Sequence, residues 1–249
     1  MRKIAIINQK GGVGKTTTAI NLAAGLAKRG FKVLILDLDG QGNISTALNI
    51  NAEKDMYSML VEKQEPESCM TEVRENISVI PSNDTLEKAE VIMSGQPSRE
   101  TILKRALQDV RGFDYILLDC PPSLSILNQN ALLYADEAFI PASTDFLGLD
   151  ALRKMLKEID TINNVFSHEC DVTMIIPTMF DGRNKTCKEH HKLMKTEFNG
   201  IPISEPIRIN SKLKEMPKSG KTIFEYANSS RGAQDYKKLV DLVAKQKVM

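Results

Sequence analysis

Near the amino terminus, Asn8-Gln9-Lys10-Gly11-Gly12-Val13-Gly14-Lys15-Thr16-Thr17 combines glycines, lysines and hydroxyls in an order that suits an anion. Glycines let the backbone curl until successive N–H groups face one point, and a helix starting there adds the positive end of its dipole. Lys15 would reach the β- and γ-phosphates of a nucleotide, and Thr16 would set its hydroxyl on Mg²⁺. The common pattern G-x-x-x-x-G-K-S/T is not met, because Gln9 stands where the first glycine belongs and Lys10 precedes a Gly-Gly pair instead. A glycine-rich turn that binds nothing is the alternative. Gly-Gly, Gly-Lys and Thr-Thr in succession between an apolar run and a helical pattern argue against it. Asp37 and Asp39 follow the apolar run 33–36, and Asp119 follows 115–118. Open α/β sheets bind ligands at the carboxyl ends of their strands, where these residues fall. Asp119 is placed to hold Mg²⁺ directly or through water, and Asp39 to orient an attacking water beside the metal. Each aspartate alone could be a turn residue or a helix cap. With the loop they describe phosphoryl transfer, and Thr16, Asp39 and Asp119 are the candidate metal residues.

Such a site needs strands that end together and helices that begin beside them. Short β-rich runs alternate with helical patterns, the signature of βαβ units wound about a mainly parallel sheet. Strands are expected at 4–7, 33–36, 78–80, 115–118, 138–141 and 172–176. Helices are expected at 16–29, 56–61, 86–93, 101–110, 149–162, 188–198 and 233–244, and Gly30 stands where a left-handed cap belongs. No internal repeat, low-complexity tract or Pro/Gly-rich linker interrupts the pattern. The expectation is an α/β fold: a single domain over residues 1–249, with a mainly parallel twisted sheet and helices on both faces.

Composition narrows the class. The chain has 249 residues, 42% hydrophobic and 26% charged, which is ordinary globular composition and far from disorder. It contains no run of ~18 apolar residues, and the apolar stretch at 4–7 is too short for a signal peptide, so a soluble cytoplasmic protein is expected. Cys69, Cys120, Cys170 and Cys187 lack the close pairing of a zinc site and read as reduced structural thiols. The adjacent His190 and His191 would point about 100° apart on a helix, which suits a solvated face better than a metal. A net charge of +1 conceals an uneven distribution: residues 181–249 hold 15 Lys+Arg and 8 Asp+Glu, against 18 and 24 in residues 1–180. A basic carboxyl-terminal region points to a polyanion, with a solvated basic face as the alternative.

The segments KGGVGKTT, LILDLDGQGN and FDYILLDCPPSLSILNQNAL resemble the deviant phosphate loop (deviant Walker A), the aspartate-bearing switch and the metal-side strand of the ParA/Soj family of partition ATPases. The likeness continues through Met179-Phe180-Asp181-Gly182-Arg183-Asn184, Lys212-Leu213-Lys214-Glu215-Met216-Pro217, Ser219-Gly220-Lys221 and Ser230-Arg231-Gly232-Ala233. It implies a P-loop NTPase that binds ATP and Mg²⁺ through Lys10, Gly11, Gly12, Val13, Gly14, Lys15, Thr16 and Thr17, with Thr178, Met179, Ile207 and Arg208 beside the adenine. Lys10, Lys15 and Asp39 would be the catalytic residues. Lys10, the family's signature lysine, would cross to the nucleotide of a second subunit in an ATP-sandwich homodimer, as an arginine finger does.

The resemblance further implies an ATP-bound dimer that coats nonspecific double-stranded DNA on the nucleoid. A centromere-binding, ParB-like protein with a basic tail would release it by stimulating a slow hydrolysis. Arg183 matches the family's DNA-contacting arginine, and Lys185, Lys188, Lys212, Lys214, Lys218 and Lys221 complete the candidate surface. With no interleaved aromatics, these contacts would be to phosphates. Two departures stand out. Gly40 replaces the proline of D-x-D-P-Q-G, and Ile207-Arg208-Ile209-Asn210 replaces I-P-R-N. With no extension before the first strand, an operator-reading helix-turn-helix is not expected. Two related readings stay open: positioning of a protein cargo over the nucleoid, and a membrane-associated regulator of the MinD type. For the second, the stripe Tyr236, Leu239, Val240 and Val243 lacks the bulky face of an interfacial helix, and stable membrane association is not expected.

Overall fold

The computed structural model describes residues 1–123 and 125–246. Its strands are β1 (Arg2–Ile6), β2 (Val33–Asp37), β3 (Thr71–Arg74), β4 (Ile77–Ile80), β5 (Tyr115–Asp119), β6 (Glu137–Ser143) and β7 (Asp171–Thr178). They form a seven-stranded sheet in the order β3-β4-β2-β5-β1-β6-β7, parallel except for the edge pair β3/β4. The helices are α1 (Lys15–Ala27), α2 (Asn43–Leu48), α3 (Met56–Leu60), α4 (Pro66–Cys69), α5 (Thr85–Ser94), α6 (Ile102–Ala106), α7 (Ile126–Tyr134), α8 (Phe146–Phe166), α9 (Lys185–Glu197), α10 (Ser211–Glu215), α11 (Ile223–Tyr226) and α12 (Arg231–Lys245).

The central strands are apolar throughout because both their faces are covered. Alternate side chains divide between two cores. Ala5, Leu34, Leu36, Ile116 and Leu118 pack under α3, α5, α6, α7 and α8, while Ile4, Ile6, Val33, Ile35 and Leu117 pack under α1, α11 and α12. The expected two-faced parallel α/β architecture is what the chain adopts. α12 approaches α1 closely at Gly25, where any Cβ would collide with the Val240 side chain. The apolar stripe of α12 is thereby spent on the sheet, with Tyr236, Leu239, Val240 and Val243 all buried.

Register sets the site. Ile6 and Asp37 both pair with Asp119, so β1, β2 and β5 end level and deliver two aspartates side by side next to the phosphate loop. α1 ends at Ala27, and Gly30 follows with φ 86°, the left-handed conformation expected of it.

Several elements depart from the sequence reading. α6 covers five residues where a helix over 101–110 was expected, and α8 runs 21 residues instead of 14. β3, α2, α4, α7, α10 and α11 carry no clear periodicity. α7 escapes pattern reading because its inward face bears Asn130, whose side chain accepts from Leu103 N–H at 2.9 Å and donates to Arg99 C=O at 2.8 Å. A buried but satisfied amide imitates a polar face in sequence. His191 also departs from expectation: it is half-buried with its ring edge-on to Phe180 at 5.2 Å, so the histidine pair is not simply solvated.

Candidate nucleotide and metal site

The loop between β1 and α1 is held open by its own backbone. Gly12 and Gly14 take φ of 73° and 90°, a left-handed conformation that costs side-chain-bearing residues ~1 kcal/mol or more. Asn8 anchors the loop start, donating from Nδ2 to Pro141 C=O at 2.7 Å and accepting Lys10 N–H on Oδ1 at 3.0 Å. Sequence reasoning gave Asn8 no role, since its partner lies on β6, far along the chain. Gly11 and Gly12 are exposed, Val13 is buried under the loop, and Gly14, Thr16 and Thr17 are half-exposed at its floor.

Lys15 is buried, and that burial pushes its pKa down against the pull of Asp119, Cys120 and Asp39. Asp37 and Asp119 are wholly buried. Among the described residues, neither Asp119 carboxylate oxygen has a hydrogen-bond partner, and Asp37 Oδ2 has none. Burial pushes the Asp119 carboxyl up to about 7 despite the Thr16 hydroxyl and Lys15 ammonium nearby. Burial, then the charge of Asp119, pushes Asp37 well above the carboxylate range. Asp119, with both oxygens unpartnered, faces the Thr16 hydroxyl and Lys15, while Asp37 keeps one oxygen on Asp39 N–H at 3.1 Å; a buried carboxylate without a partner beside a hydroxyl is oxygen-donor chemistry that Mg²⁺ fits.

The segment after β2 is pinned to the loop after β4. Ser82 donates to Asp39 C=O at 2.6 Å, and Asp39 Oδ1 accepts Gln41 N–H at 3.1 Å. Gly42, at φ 59°, lies so close to Ser82 C=O that a Cβ would sit 2.9 Å from the oxygen. Gly40 is different: its φ is not left-handed, and a Cβ there would meet Glu87 Cγ at an ordinary 3.4 Å.

Lys10 does not lie over the loop. Its ammonium turns back to the end of β6, 2.9 Å from Ser143 Oγ and 2.7 Å from Asp145 Oδ1. Asp145 also caps α8 by accepting Gly148 N–H at 2.7 Å, and these partners hold its pKa down despite partial burial. Neither Ser143 nor Asp145 was legible as a site residue.

Thr178, Met179, Ile207 and Arg208 come together, with Val13, Gly14, Thr17 and Tyr236, around one small cavity beside the start of α1. Thr178 Oγ1 is buried without a partner among the described residues, and Met179 holds φ at 52°. Arg208 grips Asp235 of α12 through Nη2 at 2.6 Å and Nε at 3.0 Å, so its guanidinium is already committed. Lys214 lines the same cavity. Neither Lys185 nor Lys188 on α9 lines it. All seven basic candidates are exposed, and three already have acidic partners: Arg183 with Asp181 at 3.0 Å, Lys212 with Glu215 at 2.7 Å, and Lys185 with Glu189 at 3.9 Å. The Arg183 guanidinium draws the Asp181 carboxyl down to about 2.

A parallel sheet whose level strand ends meet a glycine loop, a buried lysine and unpaired carboxylates defines a P-loop nucleotide-binding α/β protein. Residues 1–172 match a family model described as an AAA domain. Over 98% of its length the chain is 37% identical to the chromosome-partitioning ATPase Soj of Thermus thermophilus, covering 95% of that protein. It is likewise 37% identical, over 97% of both chains, to the sporulation initiation inhibitor protein Soj of Bacillus subtilis. Among solved structures, the cobyrinic acid a,c-diamide synthase of Mycobacterium smegmatis with a bound ATP analogue and magnesium superposes with a TM-score of 0.84 at 28% identity, covering 98% of this chain and 95% of that one. The chain belongs to the Soj/ParA family of chromosome-partitioning ATPases.

Proposed function

We propose that this protein binds MgATP in the 10–17 loop, pairs with a second copy across the nucleotide, and in that state binds duplex DNA until a partner triggers hydrolysis. The observation that carries this reading is the wholly buried Asp119 carboxylate, neither of whose oxygens has a partner among the described residues, beside Lys15 and Thr16. Membership of the Soj/ParA family and the ATP analogue with magnesium in a similar fold support it.

Lys15 and the N–H groups of Gly11 to Thr16 hold the phosphates, and Thr16, Asp39 and Asp119 hold the metal. Held by Thr16, Asp39 and Asp119, Mg²⁺ would supply positive charge against the phosphate oxygens. Asp39, fixed through Gln41 and Ser82, orients the attacking water. Lys10 must leave Asp145 to reach a second subunit's phosphates, so its intramolecular ion pair is the resting state. Thr178, Met179, Ile207 and Arg208 flank the base. Arg183, Lys185, Lys188, Lys212, Lys218 and Lys221 meet DNA phosphates, with Lys214 at the boundary between the two surfaces. The partner is a centromere-binding, ParB-like protein with a basic tail. The proposed location is the cytoplasm, on the nucleoid when ATP is bound.

Size-exclusion chromatography with and without ATP, combined with nucleotide-binding and hydrolysis assays, tests the assignment. Lys15→Ala is expected to lose MgATP affinity at least tenfold, by roughly the ~1.5–3 kcal/mol of a charged hydrogen bond. Lys10→Ala should bind ATP without productive hydrolysis. Asp39→Ala should accumulate an ATP-bound dimer, and a monomeric Asp39→Ala that still binds ATP contradicts its hydrolytic role.

A further inference from the structure

A chain of polar contacts runs from the phosphate loop to the loop bearing Arg183. Lys10 Nζ rests on Asp145 at 2.7 Å. The neighbouring Thr144 lies with its hydroxyl 3.2 Å from Thr178 C=O and 2.8 Å from Cys187 Sγ. That sulfur accepts Asp181 N–H at 3.2 Å, and the Asp181 carboxylate holds Arg183 through Nε at 3.1 Å and Nη2 at 3.0 Å. One proton arrangement satisfies every member. Thr144 O–H donates to Thr178 C=O, Cys187 S–H donates to Thr144 Oγ1, and the sulfur lone pair remains for Asp181 N–H. Cys187 sits in the first turn of α9, 7% exposed, with its own N–H held by Asn184 at 3.3 Å. The turn between β6 and α8 is stiff, because Gly148 packs onto Ser143 C=O too closely for any side chain.

We infer that Cys187 is a positioning residue that couples the location of Lys10 to the presentation of Arg183. With Lys10 on Asp145, the 143–148 turn, Thr144 and Cys187 hold the 181–184 loop so that the exposed Arg183 side chain stays paired with Asp181. When Lys10 departs, Asp145 loses its cation and the 143–148 turn, stiff within itself, moves as one body. The Thr144–Cys187–Asp181 link passes that shift to the loop, and Arg183 is freed for an external phosphate. Lys10 supplies the two discrete states that such coupling requires. The inference rests on the proposed nucleotide and DNA reading.

The test compares Cys187→Ala with Cys187→Ser, since serine keeps one donor and one acceptor where alanine keeps neither. DNA affinity is measured with a nonhydrolysable ATP analogue and with ADP, alongside dimerisation by size-exclusion chromatography. In Cys187→Ala the ratio of the two affinities should shrink about five- to tenfold, the size of one buried hydrogen bond, with dimerisation unchanged. In Cys187→Ser it should stay within about twofold of wild type. Independently of DNA, the analogue with Mg²⁺ should change the alkylation rate of Cys187, read by mass spectrometry, several-fold in the wild type and not in Lys10→Ala. The inference is overturned by an unchanged ratio in Cys187→Ala, by an equal loss in Cys187→Ser, or by alkylation indifferent to nucleotide. Alkylation that responds in a protein that binds no DNA would overturn the DNA reading and leave the Lys10–Cys187 coupling standing.

Discussion

On the proposed reading, Asp119 joins metal binding and stability in one side chain. Its folded pKa of about 7 lies above its ordinary 3.8, so between those values the native carboxyl keeps a proton that the unfolded chain has released. The native state then binds more protons, and the stability of the metal-free protein falls as pH rises from about 4 to about 7. At ~1.4 kcal/mol per pH unit the loss is at most ~4 kcal/mol, and less in practice because Asp37 shares the titration. Asp119→Asn keeps the shape without a charge to desolvate. In EDTA at pH 8 it should melt ~5 °C above wild type, a margin that vanishes near pH 4, while MgATP no longer stabilises it. Equal melting of the two proteins at pH 8 would remove the electrostatic argument. Gly40 gives a second residue-scale expectation, because its φ is not left-handed and an added Cβ meets Glu87 and Asn83 only at ordinary contact distance. Gly40→Pro should raise the unstimulated ATPase rate a few-fold and shrink partner stimulation in proportion, by pre-populating the competent switch. Unchanged rates in both conditions would contradict that. The candidate residues that sequence could offer were those whose placement is local: Lys15 and Thr16 in the loop, Asp39 and Asp119 at strand ends. Asn8, Ser143 and Asp145 were not among them, because Asn8 acts through a carbonyl 133 residues away and Asp145 through a lysine 135 residues away.

Among the elements, α1 carries the most constraint, because it begins at the glycine loop and must bury its far side under α12. Gly25 is the residue that permits this. An alanine would gain ~1 kcal/mol of helix propensity, yet its Cβ would strike Val240. Gly25→Ala should therefore destabilise by ~1–3 kcal/mol in denaturant unfolding. Val240→Ala in the same chain should recover much of that loss, and a Gly25→Ala variant as stable as wild type would show the contact to be soft. The central strands and long helices were readable because burial on two faces writes continuous apolar runs and helical stripes into the sequence. β3 was not, being an edge strand of half-exposed residues (Thr71–Arg74) whose pairing shifts register at a bulge. α7 was hidden by its buried asparagines. α10 and α11 are single turns whose existence depends on Leu213, Met216 and Ile223 finding the second core.

At the scale of the whole molecule, charge is arranged against its own use. The carboxyl-terminal region holds the surplus of lysine and arginine, yet Arg183, Lys185 and Lys212 each rest on a neighbouring carboxylate, and on the proposed reading DNA would have to exchange one anion for another. Such pairs are exposed and individually weak, so the exchange costs little. It does reduce the net counterion release that drives nonspecific binding. With ~5 phosphates neutralised, log K should fall against log salt with a slope of about −4 to −5 in the ATP state, equally for unrelated duplexes. Asp181→Asn removes the anion that competes for Arg183. It should bind DNA a few-fold more tightly, steepen the slope by about one unit for each phosphate gained, and narrow the difference between the ADP and ATP states. Arg183→Ala should do the reverse, lowering affinity and slope together for every sequence. Fluorescence anisotropy over a salt series decides it. If Asp181→Asn leaves affinity and slope as they were, or if one duplex is strongly preferred, DNA is held elsewhere than on the face that Arg183 heads.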